Sequence, residues 1–213
     1  MKRYIKAAVV HLTDEDPAII RSIARNSEDV EVLRDIFDNF GNPKDYDYFY
    51  CLDLANNENT PQDILTKLAD FRYDSRIRAS VAENPNTPIA TLYDLTKYSY
   101  EDILRGIARN TNAPPELLSK ISDVSAHDYW PCVYVAYNHN TAMEDLIKLS
   151  MHWQADVRYA VVKNPNTPIS VIVNMINDPN MDIRNAVLER LGPNAEEKAN
   201  LINQFNNRIL GDN

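Results

Sequence analysis

Pairs of large apolar residues recur along the chain at the spacing of an α-helix. The two members of each pair stand three residues apart, and residues at that spacing share one face of a helix. The pattern therefore predicts a series of short helices, each with one buried face. The pairs are Leu65 and Leu68, Leu92 and Leu95, Leu118 and Ile121, and Leu146 and Leu149.

A second apolar stripe and a polar loop precede these pairs. The stripe is clearest at Val157, Ala160 and Val161, which again fit one helical face. The loop that follows reads NPNTP from both Asn84 and Asn164. Its first asparagine recurs at positions 57, 84, 110, 138 and 164, so the successive steps are 27, 26, 28 and 26 residues. A period of this length indicates repeats of two helices each.

The loop residues predict how one helix ends and the next begins. Asparagine tolerates the left-handed conformation, so the first asparagine of each loop is expected to terminate the first helix in that conformation, followed by proline. Thr87 is expected to cap the second helix, with Pro88 at its first position. An aspartate such as Asp156 is expected to cap the first helix.

One two-helix repeat is too small to bury both of its apolar stripes. Stacking of neighbours removes both from water, so the period predicts an all-α solenoid of about six to seven repeats of about 26 residues. The step from Asn26 to Asn57 is 31 residues, which indicates an insertion. We expect one solenoid domain over residues 1–213, and its predicted parts are a cap with the first repeat (1–40), the insertion (41–50), regular repeats (51–183) and a C-terminal cap (184–213).

The repeat resembles the variant leucine-rich repeat family and, more loosely, HEAT repeats. The shared motif is Asp-Val-Arg, then Val-Ala, then Asn-Pro-Asn-Thr-Pro, then two leucines; it spans roughly residues 15–205 and is most specific at 74–97 and 156–176. The resemblance implies a right-handed solenoid of paired helices, some of them 3₁₀ helices, without a shared catalytic residue. Some members carry an N-terminal four-cysteine iron–sulfur cluster. This sequence lacks those cysteines, so we expect no cofactor.

The net charge of −9 and the pI of about 4.9 narrow the classes of partner. An acidic protein repels phosphate backbones, so the charge disfavours nucleic acid and favours a basic protein.

The two cysteines, Cys51 and Cys132, form neither a CxxC site nor a disulfide framework, which fits a reducing, cytoplasmic compartment. No apolar run reaches transmembrane length, so we expect no membrane partner. We expect a monomer or a weak homodimer.

Aromatic residues cluster between the repeats and are the predicted partner-binding residues. Tyrosine and tryptophan are favoured at interface hot spots because they offer a large rigid area with a polar tip. The alternative is that these side chains pack between successive repeats. The predicted residues are Phe71, Tyr73, Tyr98, Tyr100, Tyr129, Trp130, His152 and Trp153.

Arginines form a second candidate feature. Arg78, Arg158 and Arg184 share one position of the repeat, and Arg21 and Arg105 stand one place away. This column predicts either ion pairs with aspartates between neighbouring first helices or a surface that binds phosphate or carboxylate groups.

No catalytic or metal site is expected. The sequence contains no GxGxxG, Walker A, HExxH or GxSxG motif. His127, Cys132 and His139 match no zinc template. We therefore expect a protein that is not an enzyme.

Three functions remain open from the sequence. The first is a non-catalytic scaffold for protein–protein interaction, whose acidic surface binds a basic protein or peptide; a special case is an inhibitor of a nucleic-acid-binding protein that mimics phosphate, as small acidic proteins of phages and mobile elements do. The second is a HEAT-like nucleic-acid-binding protein or DNA glycosylase. The third is a structural spacer.

Overall fold

The fold is built from short α-helices joined by short loops. The computed structural model describes residues 17–41, 47–70, 72–98, 100–124, 129–195, 197 and 200. The helices are α1 (Pro17–Asn26), α2 (Val30–Phe40), α3 (Tyr48–Asn56), α4 (Gln62–Leu68), α5 (Ser75–Glu83), α6 (Ile89–Leu95), α7 (Glu101–Arg109), α8 (Pro115–Val124), α9 (Trp130–Tyr137), α10 (Met143–Leu149), α11 (Ala155–Lys163), α12 (Ile169–Asn174) and α13 (Met181–Leu191), with a 3₁₀ turn at Thr96–Tyr98.

The helices pair and stack as the repeat period predicts. The chain forms two compact units with their boundary between Ala113 and Pro114. In the first unit α1, α3, α5 and α7 pack side by side in chain order, and in the second unit α9, α11 and α13 do the same. The described part of the chain contains no strand. The prediction of an all-α solenoid is thereby confirmed, although parts of the predicted insertion and of both predicted caps lie outside the described residues.

The apolar stripes form the core. Both members of each of the four predicted pairs are buried, and so are Val157, Ala160 and Val161. These side chains lie between the first and second helices of each repeat and against the next repeat, where their burial is the main stabilising contribution. Among the described helices none is long and apolar enough to cross a lipid bilayer.

The loop asparagines connect successive repeats. The buried Asn84 amide donates to the carbonyls of Ala55 and Asn57 at 2.8 and 2.9 Å, and its Oδ1 accepts from the Asn86 N–H at 2.9 Å. Asn57 and Asn110 in the first unit, and Asn164 in the second, repeat the pattern. Each amide satisfies carbonyls at the end of the previous first helix, which have no partner within their own helix.

Two predictions about the loop were wrong. Asn84 has φ −65° and ψ 123°, an extended conformation rather than a left-handed one, because its side chain must reach back to the previous repeat. Thr87 does not cap the second helix: its hydroxyl donates to the Val81 carbonyl at 2.5 Å, and the residue before α6 is Pro88, which has no side-chain capping bond. The threonine therefore satisfies a carbonyl in the last turn of the first helix.

The predicted aspartate caps were also wrong, because Asp102, Asp156 and Asp182 each lie in the first turn of their helix and not at the capping position. Asp156 lies in the first turn of α11, and the capping position is held by Gln154 without a side-chain bond. Before α13, the side chain of Asn180 accepts from the N–H groups of Asp182 and Ile183. An acidic residue in the first turn still stabilises the helix through its dipole.

Candidate functional site: an aromatic and acidic face of the second unit

Five aromatic side chains of the second unit form one contiguous group. We call Tyr129, Trp130, Tyr134, His152 and Trp153 the aromatic cluster. The Tyr129 ring stacks on Trp130 with centroids 5.3 Å apart and meets Trp153 edge-on at 6.2 Å. Trp130 stacks on Tyr134 at 6.2 Å, and His152 stacks on Trp153 at 5.7 Å. Four of these five residues are among the predicted binding residues, so the structure brings half of that set together.

The cluster is open to solvent. Trp153 is 73% exposed and Trp130 is 41% exposed, and the neighbouring Met151 is exposed as well. Large apolar side chains that group at the surface mark interaction sites more often than isolated ones do. Packing between repeats therefore leaves a large part of the Trp130 and Trp153 rings uncovered.

Two elements position the cluster. Tyr129 is the residue before α9, and Trp130 and Tyr134 stand four residues apart on that helix, so they share a face. Trp153 and His152 belong to the turn between α10 and α11. Arg158 fixes this turn, because its Nη1 donates to the carbonyls of His152 at 2.8 Å and Trp153 at 3.1 Å.

His152 is held in the turn by a hydrogen bond, since its Nδ1 accepts from the Gln154 N–H at 3.1 Å. Burial lowers the pKa of His152 below its ordinary value, and the nearby charge of Arg158 acts in the same direction. The imidazole contributes a flat ring that stacks on Trp153.

Arg158 is itself held by a carboxylate. Its Nε and Nη2 donate to the two oxygens of Asp178 at 2.7 and 2.9 Å, and both side chains are largely buried. The Arg158 guanidinium lowers the pKa of Asp178. Arg158 thus pairs with an aspartate as predicted, but Asp178 lies in the loop before α13 and not on a neighbouring first helix. Arg184 donates to the backbone carbonyls of Asp178 and Pro179.

The first unit contains the same kind of pair. Asp53 on α3 is buried and accepts from Arg21 Nε at 2.8 Å and from Arg25 Nη2 at 2.6 Å, both on α1. Arg105 pairs with Glu101 and Asp102 of its own helix. Arg21 and Arg105 of the predicted column therefore both form ion pairs within the first unit.

An acidic groove lies between α11 and α13. Its volume is about 440 Å³, and its lining includes Asp156, Tyr159, Lys163, Asp182 and Glu189. Lys163 pairs with Glu189 at 2.8 Å. Within the described part of the chain, Asp156 and Asp182 have no ion-pair partner. The groove therefore presents two uncompensated carboxylates to a ligand.

The groove adjoins the helix that carries the aromatic cluster. Trp130, Tyr134 and Tyr137 stand at intervals of four and three residues on α9, which places them on one helical face. Burial raises the pKa of Tyr137, and the nearby Tyr159 adds to this effect. Tyr137 therefore lies close to the groove residues of α11. The aromatic cluster and the acidic groove thus lie on neighbouring elements of the second unit, since α9 packs against α11.

The other predicted residues lie elsewhere. Tyr73 is only 3% exposed and its hydroxyl donates to the Gly41 carbonyl, so it is a packing residue and not an accessible contact. Tyr98 and Tyr100 lie in the first unit beside Arg78. Phe71 lies outside the described residues.

The groove was not predicted from the sequence. Tyr134, Tyr137 and Tyr159 were not among the predicted binding residues, although the spacing of Trp130, Tyr134 and Tyr137 on one helix was a readable signal. In the described residues no group of three or more histidine, cysteine, aspartate or glutamate side chains could hold a metal ion; His127 is not among those residues.

Comparisons with known proteins identify the fold. A scan of protein-family models and a search of curated proteins each found no match. A solved structure described as a leucine-rich repeat variant with a novel repetitive protein structural motif matches with a TM-score of 0.56 and 20% sequence identity. The alignment covers 88% of this chain and 71% of that chain. The chain therefore shares the fold of a leucine-rich repeat variant.

Proposed function

We propose that this repeat protein is a non-catalytic scaffold that binds a basic peptide or the basic surface of a partner protein. The binding site is the face of the second unit formed by the aromatic cluster and the acidic groove. The observation that carries the proposal is that Asp156 and Asp182, two carboxylates without an ion-pair partner among the described residues, line one groove together with the Tyr159 ring of α11.

Lys163 is an example, within this chain, of a cation bound in the groove. Its ammonium lies 5.6 Å from the centre of the Tyr159 ring and 2.8 Å from a Glu189 oxygen. A cation over an aromatic face and against a carboxylate is stabilised by both. A lysine or arginine of a partner meets the same combination at Asp156 and Asp182, which lie in the same groove.

The aromatic cluster supplies the second part of the binding free energy. Trp153 and Trp130 offer a large apolar area, and burial of such rings at the centre of an interface contributes most to affinity. Arginine stacks well on tryptophan and tyrosine faces, so a peptide that combines arginine with apolar residues fits both halves of the face. Phosphate groups are repelled by the carboxylates, which disfavours nucleic acid at this face.

Intrinsic fluorescence offers a direct test because both tryptophans of the chain, Trp130 and Trp153, belong to the cluster. We would titrate the full chain with hexa-arginine, hexa-glutamate and a short single-stranded DNA, each at low and at high salt. We expect a saturable change with hexa-arginine that weakens as salt rises. Saturation by the DNA or by hexa-glutamate, with no response to hexa-arginine, would overturn the proposal.

A further inference from the structure

Arg78 differs from the other arginines of its column. It lies in α5 and is only 6% exposed. Its Nε is buried and has no hydrogen-bond partner among the described residues. No ion pair to Arg78 is found in that part of the chain either. A buried guanidinium N–H without an acceptor is unfavourable, and such a group points to a ligand.

Arg158 shows what this position of the repeat accepts. Arg78 and Arg158 are 80 residues apart, as are the ladder residues Asn84 and Asn164. Asp178 lies 20 residues after Arg158 and binds its Nε and Nη2 with both carboxylate oxygens. The Nε of Arg21 also donates to a carboxylate. In at least two arginines of the column, the Nε–H therefore donates to a carboxylate, whereas the Nε–H of Arg78 has no acceptor among the described residues.

Tyr98 stands where the aspartate stands in the later repeat. It lies 20 residues after Arg78, and its ring centre is 4.5 Å from the guanidinium carbon. The Tyr100 ring is 5.4 Å from the same carbon, and Tyr100 is 54% exposed. The ring faces attract the cation, but they do not accept hydrogen bonds in the plane of the guanidinium. One exposed ring and one half-buried ring thus separate Arg78 from solvent.

The charges around Arg78 favour an anion. Its charge contributes to the lowered pKa values of Asp70 and Asp74, so both carboxylates are near. Their oxygens are engaged by Arg72 at 2.9 Å and by Arg76 at 3.1 Å. Residues 70–78 contain three arginines and two aspartates, a local excess of one positive charge in a chain of net charge −9.

We propose that Arg78, Tyr98 and Tyr100 form a binding site for a carboxylate of a partner, an aspartate or glutamate side chain that takes on Arg78 the place that Asp178 takes on Arg158. The Tyr98 ring turns aside to admit the carboxylate, and the Tyr100 ring covers it. The planar fork of a guanidinium matches two carboxylate oxygens, as the Arg158 pair demonstrates within this chain. The site lies in the first unit and does not depend on the proposed function of the second.

The test follows the Nε–H resonance of Arg78 by NMR in the full chain labelled with ¹⁵N-arginine. The probes are acetylated hexa-glutamate amide, inorganic phosphate and chloride, each titrated at constant ionic strength. We expect hexa-glutamate to shift the Arg78 resonance saturably, about tenfold more tightly than phosphate or chloride. The Arg158 Nε–H resonance is the internal control, and it should not move because Asp178 already occupies that edge.

A Tyr98→Asp variant supplies the matched comparison, because it places an internal carboxylate at the proposed site. We expect its Arg78 Nε–H to move towards the shift of Arg158 Nε–H without any peptide and to lose the response to hexa-glutamate. The proposal is overturned if phosphate binds as tightly as the peptide, if the Arg78 resonance stays unmoved at millimolar peptide, or if Tyr98→Asp responds to the peptide as the wild type does.

Discussion

Arg190 stands 26 residues after Asn164 and occupies the place of the missing loop asparagine in the last repeat. Its Nη1 donates to the Asn164 carbonyl at 2.5 Å, as the Asn164 amide donates to the Asn138 carbonyl one repeat earlier. Nη1 also reaches the Val162 carbonyl, which is the equivalent of Ala136 in the earlier pair. A different side chain thus continues the same hydrogen-bond ladder at the end of the second unit.

The first prediction concerns Asn84, which makes three of these bonds. Replacement of Asn84 by alanine leaves the carbonyls of Ala55 and Asn57 without their buried donor. We expect the free energy of unfolding to fall by about 2–4 kcal/mol, measured by urea denaturation. The control is Asn56→Ala, because Asn56 is exposed and bonds only within its own helix. Similar losses in the two variants would contradict the ladder.

Arg190 gives a parallel prediction for the second unit. Its guanidinium also donates to Pro165 at 3.0 Å and to Thr167 at 2.9 Å. We expect Arg190→Met to destabilise the protein by about 2–3 kcal/mol and to speed amide hydrogen exchange in α13. The control Glu189→Gln alters only the exposed pair with Lys163, so we expect it to leave the free energy of unfolding almost unchanged. If α13 exchanges at the wild-type rate in Arg190→Met, Arg190 does not hold the last repeat.

The pairing of Arg158 with Asp178 makes stability depend on pH. The Arg158 guanidinium lowers the pKa of Asp178 below its ordinary value of 3.8. The folded state therefore binds this proton more weakly than the unfolded chain does. The stabilisation is present above pH 3.8 and is lost as the pH falls through the lower folded-state pKa.

The measurement compares wild type with Asp178→Asn by urea unfolding as a function of pH. We expect the wild type to be more stable by a constant amount from about pH 7 to about pH 5, and by less below about pH 4. In an Arg158→Met background the substitution should produce little of this pH dependence. A difference between wild type and Asp178→Asn that is the same at neutral and acid pH would contradict the account.

Gly106 is predicted to resist a substitution that helix propensity favours. It lies in α7, and a β-carbon there would stand 2.5 Å from the Ala79 carbonyl oxygen and 3.0 Å from the Ala82 β-carbon of α5. In an exposed helix, alanine is better than glycine by about 1 kcal/mol. We expect Gly106→Ala to destabilise by about 1–3 kcal/mol instead, because α5 must move away.

The control for Gly106 is Asn185→Ala, at an exposed position of α13. Because alanine has a higher helix propensity than asparagine, we expect this substitution to raise the free energy of unfolding by about 0.5 kcal/mol. Thermal unfolding of both variants settles the comparison. A rise in the unfolding midpoint for Gly106→Ala would show that α5 and α7 pack less closely than described.

The sequence predicted the core of this fold because apolar spacing alone determines which side of a short helix is buried. Leu65, Leu92 and Val161 were placed correctly on that basis. The hydrogen bonds that the loop asparagines make to the previous repeat were not predicted, because the expectation for Asn84 rested only on the backbone conformations that asparagine prefers. A contact between repeats cannot be derived from one repeat, although the recurrence of asparagine at the same position was the signal for it.

The candidate site was predicted in part for a related reason. Tyr129, Trp130 and Trp153 were chosen for their chemistry, and the structure brings them together. Tyr73 has the same chemistry but lies against Gly41, a contact between residues 32 positions apart that no local pattern reveals. The acidic groove was not predicted because its lining residues belong to two helices, α11 and α13, which lie side by side only after the repeats stack.

The most direct test of the proposed function removes the two carboxylates of the groove. Asp156→Asn with Asp182→Asn changes the net charge by two, and so does the control Glu116→Gln with Glu144→Gln, at exposed positions of α8 and α10 in the same unit. Binding of hexa-arginine is followed by the fluorescence of Trp130 and Trp153 at fixed salt.

We expect the groove variant to bind hexa-arginine about tenfold more weakly than wild type, since two ion pairs of about 0.7 kcal/mol each are lost. The control variant should bind within about twofold of wild type. Equal weakening in both variants would show that net charge alone attracts the peptide, and it would contradict a specific binding face between α11 and α13.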